Sequence, residues 1–234
     1  MDIIELLTQF NLTRQEASIY LTLLSEGDLN GYEVAKITGI SRSNTYTSLA
    51  ALVDKGCAFI TESSAIRYTA VPVEEFCGNK IGKLIKTRQD LVNCIPPKRE
   101  EIPGYITIKG DNHILNKMRN MISHAKERVY VSVSEQVLEL ILPEIKKAIS
   151  RKIKIVLITN IPFDIDGVTV YYTEKSQQQI RLITDSANVL TGDINNGEFS
   201  TCLYSKKKNL VDLLKDSLKN EIKLIEIMKG NKNT

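Results

Sequence analysis

The sequence predicts a two-domain chain: an α+β module over residues 1–76, a helical connector over 77–104 and an α/β mixed-sheet domain over 105–228. Three patterns predict it. Asn30 to Val71 reads as helix, three-residue turn, helix and β-hairpin. Cys77 to Ile95 carries apolar residues at coiled-coil spacing and stops at Pro96-Pro97. From Tyr105, strand and helix patterns alternate and then give way to clustered strands.

In order, Asp2–Phe10 is a short amphipathic helix, and Thr13-Arg-Gln-Glu16 is a capping box opening a second, with Ala17, Tyr20, Leu21 and Leu24 on its buried side. Asn30 caps the third helix with Glu33 reaching back, and Gly39 supplies the positive φ that ends it. Ser41 caps the fourth, on which Tyr46, Leu49, Ala50 and Val53 form an i, i+3, i+4, i+7 apolar stripe. Its other face carries Arg42, Ser43, Asn44, Thr45, Thr47 and Ser48. Those small hydrogen-bonding residues give up helix propensity, a choice that reading base edges and gripping phosphates would explain. Cys57–Glu62 and Ala65–Val71 then form a hairpin. Helix, turn, helix and hairpin in that order predict a winged helix-turn-helix rather than a small packed module that ignores nucleic acid. The expected DNA-contacting residues are Lys36, Ser41, Arg42, Ser43, Asn44, Thr45 and Ser48, with Arg67 reaching a phosphate or the minor groove from the wing.

Pro72 opens the connector helix. Cys77, Ile81, Leu84, Arg88, Leu91 and Ile95 follow at a/d spacing, interrupted by Arg88. The seam is either the contact of this helix with its own second domain or a dimer stem. The stem is favoured because operator-reading helix-turn-helix proteins are usually two-fold dimers on pseudo-palindromic double-stranded DNA. The segment Ile95–Gly104, rich in proline, reads as an interdomain linker.

Charge qualifies the nucleic-acid reading. Residues 1–76 hold five cations against ten acids, a net −5, whereas 78–100 carry +4. Phosphate neutralisation dominates nonspecific affinity, so the acidic charge counts against a strong nonspecific binder, and two copies with a modest salt slope are expected. The acidic first domain leaves a second class open, a winged helix used for protein contacts. No apolar run approaches a membrane span, and the acidic, helical N-terminus is no signal peptide, so the expected location is the cytoplasm, with no membrane partner. Cys57, Cys77, Cys94 and Cys202 lack C-x-x-C spacing and are expected as reduced thiols.

Residues 1–76 resemble the TrmB-type regulators of archaea and bacteria. The resemblance is carried by LTRQEASIYLTLL, by GYEVAKITGISRSNTYTSLAALVDKG and by the wing ending RYTAVPVEEF. It continues through the linker helix into a half similar to the phospholipase-D-like regulatory domain of that family, on element order and IRLITDSANVLTGDI. The resemblance implies a transcriptional regulator whose second domain senses a small-molecule effector and alters the spacing of a DNA-reading pair. Sugar-binding members are longer, with a further C-terminal region, so the resemblance does not carry sugar recognition over to this chain.

Expected strands in this half are Tyr105–Lys109, Val129–Val133, Ile153–Ile158, Val168–Tyr172, Ile180–Thr184, Asn188–Thr191 and Phe199–Tyr204. Helices are expected after Asp111 or Asn112, over Glu135–Ser150 with a kink or restart at Pro143, and from Lys207 to about Met228. Phospholipase-D-type catalysis needs H-x-K-x-x-x-x-D. Aligning Asp185 with its Asp puts Gln178 and Ile180 at the His and Lys positions, where neither can do the chemistry. His124-Ala-Lys126 has Val131 where the Asp is required, and His124 and His113 read as helix-end surface residues. No catalytic residue, metal set or cofactor motif is expected; a residual phosphodiesterase is the weaker alternative. Gly192-Asp193 reads as a turn. The strand ends near Thr159–Asp166 and Thr184–Asn188 are expected to share one edge. There Asp164, Asp166, Asp185 and Asn188 would offer acceptors to a polyol or cation, unless Asp185 only caps the turn after its strand.

Overall fold

Four helix starts are written into the first forty-one residues, because each N-cap side chain accepts an N–H from the first turn: Asp2, Thr13, Asn30 and Ser41. They open α1 (Ile3–Gln9), α2 (Arg14–Glu26), α3 (Gly31–Thr38) and α4 (Arg42–Asp54). Two are reciprocal boxes. The Thr13 N–H donates to Glu16 Oε2 at 2.7 Å, and the Asn30 N–H to Glu33 Oε2 at 2.8 Å. Gly39, at φ 70°, ends α3 in the left-handed region. In this computed structural model residues 2–62, 65–96, 104–161, 164–173, 179–194 and 199–230 are described.

The chain divides into two units, Met1–Pro97 and Lys98–Thr234. The first unit continues with an antiparallel hairpin, β1 (Ala58–Glu62) and β2 (Ile66–Ala70), and with α5 (Val73–Cys94). Leu29 adds a rung that the sequence does not announce, exchanging two backbone hydrogen bonds with Tyr68 at 2.7 and 3.1 Å. The core gathers Ala17, Ile19, Tyr20, Leu23, Val34, Leu49, Leu52 and Phe76. Leu24, expected inside, is exposed, and Ile19 and Leu23 take the buried side of α2 instead. The Tyr20 hydroxyl donates to the Val71 carbonyl at 2.7 Å, and its ring meets Phe76 edge-on at 5.7 Å, fixing where α5 leaves the core.

The second unit holds β3 (Tyr105–Lys109), α6 (Asp111–His124), β4 (Arg128–Ser132), α7 (Glu135–Ser150), β5 (Lys154–Thr159), β6 (Val168–Tyr172), β7 (Gln179–Thr184), β8 (Asn188–Asp193), β9 (Thr201–Ser205) and α8 (Lys208–Gly230). Its seven strands run in the order β3-β9-β8-β7-β4-β5-β6. Only β4–β5 and β5–β6 are parallel. Alternation along the strands serves both faces. Ile155, Leu157, Ile180, Leu182 and Leu190 join the core of α6 and α7, whereas Ile158, Ile183 and Val189 join Val211, Leu218 and Ile225 of α8. The result is a mixed sheet with helices on both faces.

Three local expectations are revised. α7 runs through Pro143 as one helix. Gly110, not Asp111 or Asn112, is the N-cap of α6; its φ is 85° and its N–H donates to the Ser200 carbonyl. Gly192 lies within β8, paired to both Ile180 and Cys202. A Cβ there would sit 2.2 Å from the Thr201 carbonyl oxygen, so the flanking backbone, not a turn, demands glycine.

All four cysteines are free; Cys57 and Cys202 are buried, and desolvation pushes their thiols to about 11 and about 12, whereas Cys77 is half-buried and Cys94 exposed.

Asp185 ties the sheet to the end of α6. Asp185 and Ser186 are both left-handed, at φ 52° and 51°, in a turn closed by the Ala187 N–H donating to the Thr184 carbonyl. The carboxylate accepts backbone N–H groups from Lys126 at 3.0 Å, Glu127 at 2.8 Å and Arg128 at 3.1 Å. Partial burial raises its pKa, but the three N–H donors and the Lys126 charge outweigh that and hold it below the usual carboxylate range. A lowered folded-state pKa gives stability that is present above the unfolded pKa of about 3.9 and is lost as pH falls through the folded value. Asp185→Ala is expected to cost about 1–2 kcal/mol at pH 7, with the gap to wild type narrowing below about pH 4. Urea unfolding at pH 7 and pH 3 checks both statements.

Candidate functional site

The α4 surface is decided by which face the helix turns inward. Thr45 and Ser48 are buried with Leu49 and Leu52, packed towards α2 and α3; Tyr46 and Ala50 are exposed. The inward stripe therefore lies one residue before the expected one. Two hydroxyls occupy it without penalty, because Thr45 Oγ1 donates to the Ser41 carbonyl at 3.0 Å and Ser48 Oγ pairs with Gln15 at 3.5 Å. Thr45 and Ser48 are thereby removed from the expected DNA-contacting set. Ser41, Arg42, Ser43, Asn44 and Thr47 face outward, as does Lys36 on α3.

Sequence reasoning missed two aromatic residues on this surface. Tyr32 and Tyr46 are each about half exposed, and the Arg42 guanidinium lies 4.7 Å from the centre of the Tyr32 ring. Stacking there holds a flexible side chain in place. The Tyr46 ring fills the space a side chain at Gly31 would need; a Cβ there would approach to 2.4 Å. The i, i+4 spacing of Tyr32 and Lys36 was the available signal, but tyrosines at helical spacing read first as core.

Pairing redistributes the charge of this acidic unit. Arg14 is bonded to Glu5, Lys55 to Glu16, and Arg67 to Asp28 and Glu33. Among the described residues, Lys36 and Arg42 are the cations of 1–76 without an acidic partner. Lys36 lies in the last turn of α3 and Arg42 opens α4, so they flank the turn between the helices, and the N-terminus of α4 adds a further positive field there.

Arg67 is not free on the wing. Its Nε donates to Asp28 Oδ2 at 2.8 Å, and its Nη2 donates to the Asp28 carbonyl at 2.6 Å. It binds β2 to the loop before α3 because two acids flank it there, and the expectation of a phosphate contact is corrected accordingly. Along α5, Ile81, Leu84, Arg88, Leu91 and Ile95 are exposed and Cys77 is half-buried; Ile85 and Val92 widen the exposed apolar stripe.

In the second unit the proposed acceptors are spread across the sheet. Thr184 pairs with Val129 at the start of β4, which lies beside Ile155 at the start of β5, and Val168 of β6, two residues after Asp166, pairs with the same Ile155; Thr159 ends β5 at the opposite edge. Asp166 and Asp185 therefore fall towards one edge but are kept apart by β4 and β5, three strand spacings of about 4.8 Å each. Asp164 and Asp166 are exposed. Asp185 has its oxygens filled by backbone N–H groups, and Asn188 Oδ1 accepts from the Tyr204 hydroxyl at 3.1 Å. These bonds favour the structural role for Asp185, the cap of its turn, over a shared polyol or cation site. Ile180 is fully buried; Gln178 lies outside the described residues. His113 and His124 are exposed, with His124 Nδ1 2.7 Å from the Asn120 carbonyl. Among the described residues no cluster of metal ligands occurs and no helix is long and apolar enough to cross a membrane.

Two family models match in succession. Residues 6–74 match "Sugar-specific transcriptional regulator TrmB", and residues 104–212 match "Transcriptional regulator TrmB, EBD N-terminal subdomain". A protein of Bacillus subtilis (strain 168), YrhO, is 24% identical over 242 residues, covering 99% of this chain and 88% of that one. The sugar-sensing transcriptional regulator TrmBL1 of Pyrococcus furiosus is 26% identical over 166 residues; the alignment spans 68% of this chain but only 48% of that relative. Among solved structures, the archaeal chromatin protein TrmBL2 aligns over 94% of this chain and 96% of its own at 19% identity, with a TM-score of 0.45. NucT from Helicobacter pylori covers 52% of this chain and 97% of its own at 15% identity and a TM-score of 0.43. One family thus accounts for the helix-turn-helix unit and for most of the mixed-sheet unit, and the chain belongs to the TrmB-like transcriptional regulators.

Proposed function

We propose that the protein is a cytoplasmic, homodimeric regulator that reads a pseudo-palindromic operator through α4 and answers to a small ligand held by its second unit. The observation that carries the DNA reading is the charge arrangement of residues 1–76. In this stretch of net −5, the cations left without acidic partners among the described residues are Lys36, in the last turn of α3, and Arg42, the first residue of α4, on either side of the turn that joins the two helices. Ser43 and Asn44, exposed in the first turn of α4, supply neutral hydrogen-bonding groups beside Arg42, and Ser41 caps the helix start. An interface with so few cations draws its affinity from base contacts and from two copies, with a shallow salt slope.

Operator fragments selected from the native genome with purified protein provide the substrate for the test. Arg42→Ala is expected to weaken binding by about 1–3 kcal/mol and to relax sequence preference at the base it reads. Arg42 and Asn44 are exposed, so fluorescence anisotropy of the Arg42→Ala/Asn44→Ala variant is free of folding effects. Equal affinity of that variant and wild type would sink the placement. Salt-insensitive association with a protein, and no DNA shift, would instead favour a protein-contact role for this acidic winged helix.

The dimer reading rests on α5. Among the described residues of the first unit, its apolar residues from Ile81 to Ile95 join no core cluster and are 49–63% exposed, at a spacing suited to a second copy. Leu84→Glu with Leu91→Glu should leave the protomer folded, since both positions are exposed, and should give monomers with weakened operator binding. Sedimentation showing an undisturbed dimer would move the interface to the second unit.

No phosphodiesterase activity is expected. The position a catalytic lysine would need is Ile180, inside the core, and Asp185 is committed to backbone N–H groups. Turnover of bis(p-nitrophenyl) phosphate that co-purifies with the protein would overturn this.

A further inference from the structure

The end of α6, the β7–β8 turn and the end of β9 enclose a cleft of 190 Å³. Lys117 of α6 and Lys206, directly after β9, line it from different elements. Lys117 is half-buried, and its Nζ lies 3.7 Å from the centre of the Tyr204 ring. It has no hydrogen-bond or acidic partner among the described residues. Desolvation, and then the charge of Lys206, hold its pKa below the usual lysine value. The acid in the lining, Asp185, offers these ammonium groups little compensation, because its oxygens already accept three backbone N–H groups. Asn188, oriented by the Tyr204 hydroxyl on its Oδ1, has no partner for its amide N–H donors among the described residues, and Asn120 also lines the cleft.

Two ammonium groups, amide donors and an aromatic ring around a volume of roughly six waters describe a site for a small anion. A phosphomonoester, with a charge of about −1.5 to −2 at pH 7, neutralises both lysines, which a single carboxylate does not. We propose that this cleft is the effector site and that it takes a small phosphate-bearing molecule, its phosphate held between Lys117 and Lys206 and directed by Asn188. The proposal rests on the reading that the second unit senses a small ligand, and it replaces acceptors with donors as the recognising groups.

The test is calorimetric titration and thermal shift at constant ionic strength, with inorganic phosphate and glucose 6-phosphate as probes and glucose and citrate as comparisons. Saturable binding of at least one phosphate probe is expected, with neither glucose nor citrate matching it. Tighter binding of glucose 6-phosphate than of inorganic phosphate identifies a phosphorylated sugar; equal binding identifies the phosphate group alone as the recognised element. Lys117→Gln/Lys206→Gln should weaken the response about tenfold or more. The single Lys206→Gln variant, at an exposed position, should weaken it without disturbing the fold. Lys146→Gln/Lys147→Gln, which removes two exposed charges on α7, should leave it unchanged. The proposal is overturned if neither phosphate probe saturates, if citrate or glucose binds as well, or if all lysine variants respond alike. The titrations contain no DNA, so their failure leaves operator binding standing, and a failure of operator binding leaves them readable.

Discussion

Everything on the nucleic-acid side of this protein depends on how far α4 is rotated about its own axis. The rotation is set by packing of Thr45, Ser48, Leu49 and Leu52 towards the preceding helices, with the Thr45 hydroxyl satisfied by the carbonyl of the helix cap. Once that stripe is inside, Arg42, Ser43, Asn44 and Thr47 have only the outside left. Tyr46 moves from the expected core to the surface beside Gly31. The face that remains is small, polar and short of helix formers. It is held by the two capping residues and the left-handed Gly39 between α3 and α4 rather than by its own propensity.

The same economy governs charge. Ten acids in residues 1–76 would oppose a phosphate backbone if they were spread evenly. Three of the five cations in that stretch are instead used to bind acids within the fold. Arg67 closes β2 onto the start of α3, and Lys55 closes the end of α4 onto Glu16. Glu16 is mostly buried, and desolvation alone would raise its pKa; the bonds to Lys55 and to the Thr13 backbone outweigh it, so the net shift is downward. The remaining two, Lys36 at the end of α3 and Arg42 at the start of α4, flank the turn between these helices. In the second unit Asp185 plays the corresponding part: by accepting three backbone N–H groups it joins β7 to the start of β4, and it leaves the neighbouring lysines uncompensated.

The helix starts, the glycine that closes α3, the hairpin and most strands of the second half were legible in the sequence. Each is settled by residues within a few positions of one another: a cap and its N3 partner, a positive φ, a period of 2 or 3.6. What the residues in order could not fix was a choice between near-equivalent local patterns. At 3.6 residues per turn, the stripes 45/48/49/52 and 46/49/50/53 are almost equally regular, and hydrophobicity alone favoured the second. The first packs inward, because the Thr45 hydroxyl is satisfied by the Ser41 carbonyl of α4's own cap and the Ser48 hydroxyl by Gln15 of α2. Likewise, Asp164, Asp166, Asp185 and Asn188 are acceptors at strand ends on paper, but strand direction is set by pairing with distant segments. The antiparallel placement of β7 against β4 and the parallel return of β6 beside β5 bring Thr184 and Val168 into one row, with Asp185 and Asp166 beyond it but two strands lying between them. A carboxylate's availability, too, is a property of the backbone around it, and that backbone comes from residues nearly sixty positions away.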